Sequence, residues 1–148
     1  MLIDYLIVTG LAAIPISEAR GAILYGLGMG LNPIAVFLIS FLINVATVPI
    51  IFWFLQQANF LAFAKRLFGE RAMNAIEKNK FEKWAEFGLF VFVGIPLPMT
   101  GAWMGAFIAT LLNMNKRRAF LAITAGVFAA TVITFLGVSS GLFVLKNL

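Results

Sequence analysis

The chain has 148 residues, of which 62% are hydrophobic and 11% charged, with a net charge of +5 and a mean hydropathy of +1.01. A soluble domain carries about 25% charged residues, so too few polar groups are present to coat this much apolar surface, and the bilayer is the expected solvent. The sequence contains no Cys and no His, which excludes disulfides, thiolate chemistry and the common zinc sites.

The opening Met1-Leu2-Ile3-Asp4-Tyr5 lacks the basic stretch of a signal peptide, so the chain is expected to begin in mature form. A first apolar segment runs from Leu2 to Ile16 and is shorter than the roughly 20 residues a span needs. It breaks at Ile14-Pro15-Ile16, continues through Ser17-Glu18-Ala19-Arg20-Gly21, and resumes as a second short run from Ala22 to Leu31. Asn32-Pro33 closes that run, with Pro33 suited to the first turn of the next helix. Ile34 to Leu55 is long enough to span, with a kink expected at Pro49 and with Asn44 and Thr47 facing protein rather than lipid.

Residues 56–83 are the hydrophilic stretch, and near-helical spacing of Phe60, Ala64, Leu67, Phe68, Met73 and Ile76 predicts an amphipathic helix in the interface. Ala85 to Ile95 is a short apolar run, broken at Pro96-Leu97-Pro98, and Ala102 to Leu112 is a second. Ala119 to Leu145 is again long enough to span, and its Gly, Ser and Thr positions suit close helix packing and a homodimer. The two halves resemble each other weakly: Gly21-Ala22 and Gly101-Ala102 both follow a Pro-bearing break, and a full-length helix comes next in each.

Charge sets the topology. Nine of the eleven basic residues lie between Lys65 and Arg118, a membrane-orientation signal rather than a nucleic-acid footprint. Residues 65–83 carry net +3, and Lys116-Arg117-Arg118 adds three charges; the positive-inside rule puts both clusters in the cytoplasm. Residues 84–115 then enter and leave on one face, as a re-entrant hairpin does. By the same count residues 1–33 enter and leave from outside. The expected fold is an all-α integral membrane protein of one domain. A first repeat (1–57) and an inverted second repeat (84–148) flank a cytoplasmic linker (58–83), and each repeat is a re-entrant hairpin followed by a full transmembrane helix. Four to six ordinary crossings with tight turns form the competing topology. Inverted repeats with broken helices are a transporter signature.

Glu18 and Arg20 are the charges between Asp4 and Lys65, and charges at membrane depth are retained mainly for function or in pairs. Two apart on a helix, they do not face each other. Helix starts at Gly21 and Gly101, with Ser17 and Thr100 beside them, would offer free N–H groups, and Arg20 adds a forked donor set suited to phosphate. The arrangement predicts an anionic ligand bound by Arg20, Ser17, Gly21, Thr100 and Gly101. Glu18 is the candidate proton carrier, since burial favours its neutral form and Arg20 its charged form. The bland alternative puts this turn at the outer interface with both charges solvated. Pro15, Pro96 and Pro98 are expected to shape the tips. Glu86 reads as a solvated interfacial residue, and Trp53, Trp84 and Trp103 as interface markers. No nucleotide or metalloprotease motif is present; no cofactor, metal, nucleic acid or enzymatic activity is expected.

The run Pro15-Ile16-Ser17-Glu18-Ala19-Arg20-Gly21-Ala22-Ile23 resembles the first motif of the small multidrug export protein family, and Gly94-Ile95-Pro96-Leu97-Pro98-Met99-Thr100-Gly101-Ala102 is similar to its second. That family looks distantly related to the DedA membrane proteins. The resemblance implies paired re-entrant hairpins, Glu18 and Arg20 at the first tip, and proton-linked handling of lipid phosphates in the cytoplasmic membrane; where DedA proteins tend to have a second Arg, this chain has Thr100 and Gly101. The leading expectation is a multi-pass exporter or lipid flippase of an amphiphilic, anionic substrate, in contact with membrane lipids and coupled to protons. Proton-coupled efflux of lipophilic cations and a non-transporting assembly role are the alternatives. The topology is tested by single cysteines: Lys80→Cys and Lys116→Cys should react with an impermeant thiol reagent from the same side of the membrane, and labelling from opposite sides refutes the second hairpin.

Overall fold

A computed structural model of the chain describes residues 2–57, 62, 66, 82–97 and 100–146. The helices are α1 (Leu2–Ala13), α2 (Glu18–Gly28), α3 (Pro33–Gln57), α4 (Glu82–Gly94), α5 (Ala102–Leu111) and α6 (Lys116–Lys146), and no strand occurs among the described residues. The expected linker over 58–83 lies almost wholly outside the described residues, as does Pro98.

The two long helices begin alike. Asn32 Oδ1 accepts from the N–H groups of Ile34 (3.0 Å) and Ala35 (3.2 Å), and Pro33, which has no N–H to satisfy, is the first residue of α3. Asn115 Oδ1 accepts from Arg117 (3.0 Å) and Arg118 (3.5 Å) at the start of α6. Each cap follows a left-handed residue, Gly30 (φ 71°) and Asn113 (φ 49°), the two residue types that adopt this conformation most readily. Both turns close with the same bonds, Leu31 N–H to Gly26 and Met114 N–H to Ala109, each 3.0 Å. Counting back from these turns pairs Gly101 with Glu18, not with Gly21 as the Gly-Ala similarity suggested.

Of the boundaries that differ from the sequence expectation, two helix starts have a visible cause. α2 starts at Glu18 rather than Gly21, because Glu18 N–H bonds Ile14 and Gly21 N–H bonds Ser17, 2.9 Å each, carrying the helical ladder through the break. α6 starts at Lys116 rather than Ala119, because Asn115 takes up the first free N–H groups, and the basic triplet becomes the first turn of the helix.

α3 and α6 run antiparallel: Phe37 meets Phe135 edge-on at 5.5 Å and Phe41 meets Phe128 at 5.6 Å. The short helices fill the two ends of this pair. α1 and α2 pack on each other, on α3 and, through α2, on α6; α4 and α5 pack on each other, on α6 and, through α5, on α3. One core (Val8, Ala12, Ile23, Leu27, Val36) sits at the first end, and a second (Val48, Ile51, Val93, Ala106, Ile123) at the other. The Asn32 N–H donates to the Tyr5 hydroxyl (3.3 Å), which puts the starts of α1 and α3 at one end. Arg118 pairs with Glu86 at 3.4 Å, which puts the starts of α4 and α6 at the other. The chain between Tyr5 and Asn32, and again between Glu86 and Arg118, therefore goes in and comes back to the end it left.

Pro33–Gln57 and Lys116–Leu145 are long and apolar enough to cross a membrane, and 33% of the most apolar stretch of each is buried inside the protein. The remainder faces outward with large apolar side chains, among them Ile34, Phe54, Leu121 and Leu136. Core helices of a soluble globule hide such residues; an outward apolar coat on this scale matches lipid. At about 1.5 Å per residue, α1, α2, α4 and α5 each reach only about half the roughly 30 Å hydrocarbon thickness.

Gly126 lets α6 approach α4 closely: a Cβ there would lie 2.8 Å from Val93 Cβ and 2.9 Å from the Phe90 carbonyl oxygen. Gly126→Ala is expected to cost about 1–3 kcal/mol by overpacking, read as a lower melting temperature in detergent. Gly88→Ala, with nothing within 4 Å, should leave that temperature unchanged or raise it.

Candidate functional site

The first break lies over residues 14–17, where Pro15 and Ile16 are exposed and the chain turns into α2. Glu18 makes the turn with φ 52°, a left-handed conformation that costs a residue with a Cβ about 1–3 kcal/mol. That conformation sends its side chain inward, where Glu18 is 3% exposed. The carboxylate lies against Gly101 in the second break and interacts with its backbone N–H. Gly101 is the residue before α5, so the carboxylate sits at the positive end of that helix. A Cβ on Gly101 would overlap the Glu18 carboxylate, which explains why glycine stands there.

Arg20 takes the opposite end of the second break. Its Nη2 donates to the carbonyl oxygens of Val93 (3.4 Å) and Ile95 (3.1 Å) and to Thr100 Oγ1 (3.1 Å). Val93 and Ile95 are at the C-terminal end of α4, where carbonyls lack helical donors and the helix dipole is negative. Thr100 holds the same loop, its hydroxyl lying 2.8 Å from the Ile95 oxygen and 2.9 Å from that of Leu97. Glu18 and Arg20 thus each face a helix end of complementary sign in the other half of the chain.

The same logic closes the end of α1. Asn44 Nδ2 donates to the Ala12 carbonyl at 3.3 Å, and Trp103 Nε1 donates to that of Ala13 at 3.0 Å. Trp103 follows Gly101 by two positions, as Arg20 follows Glu18, and both reach the end of the opposite short helix. Trp103 therefore ties the start of α5 to the end of α1. The α3 face toward the tips is polar: Ser40, Asn44 and Thr47 are buried at helical spacing, and Thr131 of α6 is fully buried opposite them.

Glu18, Arg20, Asn44, Gly101 and Thr131 line a cavity of about 10 Å³, together with Ala19, Val93, Val127 and Ala130. It is the size of one water at most. Three polar atoms of its lining residues have no hydrogen-bond partner: Glu18 Oε1, Arg20 Nη1 and Asn44 Oδ1. The site therefore carries both unused donors and unused acceptors at the midpoint of α3 and α6.

Among the residues singled out from sequence, Glu18, Arg20, Thr100 and Gly101 come together. Ser17 and Gly21 stay within the first tip, with the Ser17 hydroxyl packed against the Gly21 α-carbon so closely that a Cβ would not fit. The Ser17 Oγ is buried without a partner. Pro15 and Pro96 lie exposed in the two breaks. Asn44, Thr131 and Trp103 complete the site; their only sequence signal was a polar or amphipathic side chain in an apolar run.

These features define an all-helical chain with two helices able to cross a membrane and a charged centre between them. The model of the family described as putative small multi-drug export protein matches residues 18–133. The chain belongs to that family, and the match starts at Glu18. No curated protein and no solved structure matches the chain. The Glu18–Gly101 contact is tested by a double-mutant cycle: Gly101→Ala should cost about 1–3 kcal/mol in the native background and markedly less in Glu18→Ala, the signature of direct contact. Equal losses in both backgrounds would refute it.

Proposed function

We propose that this protein is a membrane exporter, a multi-pass protein of the cytoplasmic membrane, that moves an amphiphilic anion, coupled to protons, through the gap between its two tips. The observation that carries this reading is the Glu18 carboxylate seated at the positive end of α5 beside Arg20. A site that already holds the chain's own carboxylate has the donors and the field to hold a substrate's phosphate or carboxylate instead. Protonating Glu18 removes the charge that keeps it there. A substrate anion can then take its place, using the unspent Nη1 donors of Arg20, the Gly101 N–H and the Thr100 hydroxyl. Ser17 and Gly21, at the rim of the first tip, complete the binding set. Family membership supports export. The resemblance of the Glu18–Arg20 stretch to the DedA proteins is the reason for choosing a lipid phosphate as the anion.

In this mechanism residues 1–33 and 84–115 are re-entrant hairpins of two inverted repeats. Supporting this are the matching turns before α3 and α6, the mirrored packing of the short helices, and the return of each hairpin to the end where it began. Both basic clusters then lie on the cytoplasmic side. The tips meet at mid-depth and are closed as they stand, so transport requires them to part. A homodimer fits the outward-facing Gly137 and Gly141, spaced one turn apart as in close helix pairs.

Proteoliposomes with an imposed proton gradient test the proposal, using a labelled polyprenyl phosphate and, separately, a lipophilic phosphonium cation. The native protein should move the lipid phosphate and depend on the gradient. Arg20→Ala should abolish movement, and Glu18→Gln should leave at most a slow movement that no longer responds to pH. Movement of the phosphonium ion alone would replace the anion by a cation substrate, and full activity in both variants would remove the tips from the mechanism.

A further inference from the structure

A second site lies away from the tips. Between the C-terminal part of α3 and the start of α6 lies a groove of about 560 Å³. Pro49, Phe52, Trp53, Phe120 and Leu121 form its walls, and Gln56, Lys116 and Arg117 stand at its mouth. It shares no lining residue with the cavity at the tips.

Three features say what fits it. The walls are apolar and open sideways, with Trp53 62% and Leu121 67% exposed, so the groove faces the medium that surrounds the two long helices. In a membrane that medium is acyl chain. The cations are confined to one end of the groove, the end where a helix leaves the hydrocarbon. Among the described residues Arg118 has a carboxylate partner in Glu86, whereas neither Lys116 nor Arg117 has one. Two unspent cations above an apolar trough are complementary to a molecule with an anionic head and a hydrocarbon tail. Arg117 supplies forked donors for a phosphodiester and Lys116 a mobile point charge.

We infer that this groove binds one anionic phospholipid, its phosphate held by Lys116 and Arg117 and an acyl chain laid along Trp53, Phe120 and Leu121. The inference needs the two long helices to be in a bilayer but does not need the tips to transport anything. It assigns a role to two members of the basic triplet that exceeds setting orientation: they select the lipid beside α3 and α6. The third, Arg118, is already engaged with α4. A soluble phosphate would satisfy the cations but not the walls, and a neutral lipid the walls but not the cations.

The test uses the full chain in nanodiscs of equal phosphatidylcholine and phosphatidylglycerol, followed by native mass spectrometry of the lipid retained. The native protein should keep phosphatidylglycerol in preference, and the preference should fall about fivefold for each charge removed in Lys116→Gln and Arg117→Gln. Arg118→Gln, adjacent but outside the groove, should leave it unchanged; an equal loss there means a diffuse basic surface and overturns the site. A second measurement places the lipid. Leu121→Cys, the sole thiol in the chain, carries a fluorophore that phosphatidylglycerol brominated on its acyl chains should quench more than brominated phosphatidylcholine does. The Lys116→Gln/Arg117→Gln pair should abolish that difference. Equal quenching by the two lipids, or none, as when another stretch of the chain or a second copy fills the groove, overturns the inference.

Discussion

Two short helices end, and two begin, half way along α3 and α6, where the helices pack together. Each end exposes backbone groups and half a unit of dipole charge that must be answered. Glu18 answers the start of α5, Arg20 the end of α4, and Asn44 and Trp103 the end of α1. The remaining peculiarities of the centre follow from this constraint. Gly101 has no Cβ because the carboxylate needs the space, Glu18 accepts a left-handed backbone to deliver it, and α3 carries polar residues on the one face that meets the tips.

The turns before α3 and α6 are built alike, and the chain that precedes them differs in chemistry. Counted from those turns, Glu18 stands where Gly101 does, and Arg20 where Trp103 does. The first half supplies both charges, and the second supplies mainly the helix ends that receive them, with Thr100 bridging the loop. A charged pair inside apolar surroundings is costly when it stands alone. Here the charges are divided between two helix termini of opposite sign instead of being paired with each other, which leaves Glu18 Oε1 and Arg20 Nη1 unspent.

This division gives the proposed mechanism its economy. The groups that hold the tips together are those a substrate anion would use, so substrate and closure compete for the same donors. Charge on Glu18 decides the competition, and a proton removes it. The lipid groove belongs to a different part of the molecule and a different balance, in which Lys116 and Arg117 act at the end of a helix rather than at its buried centre.

Composition and hydropathy alone determined that the described residues form a helical, lipid-compatible chain with two full-length and four short helices, because segment length and apolar content are local properties. The breaks at Pro15 and Pro96, the start at Asn32-Pro33 and the isolation of Glu18 and Arg20 as charges in an apolar stretch were legible for the same reason: prolines, caps and isolated charges act within a few residues of themselves. What only the tertiary structure decided is who answers whom. That Glu18 meets Gly101, that Arg20 reaches past Thr100 to the carbonyls of α4, and that Asn44 and Trp103 belong to the same centre depend on two tips being brought together across about half the chain. Gly21 and Gly101 stand at different distances from the capped turns before α3 and α6, because a Gly-Ala pair is common in any close-packed helix, whereas the hydrogen-bonded turns match bond for bond.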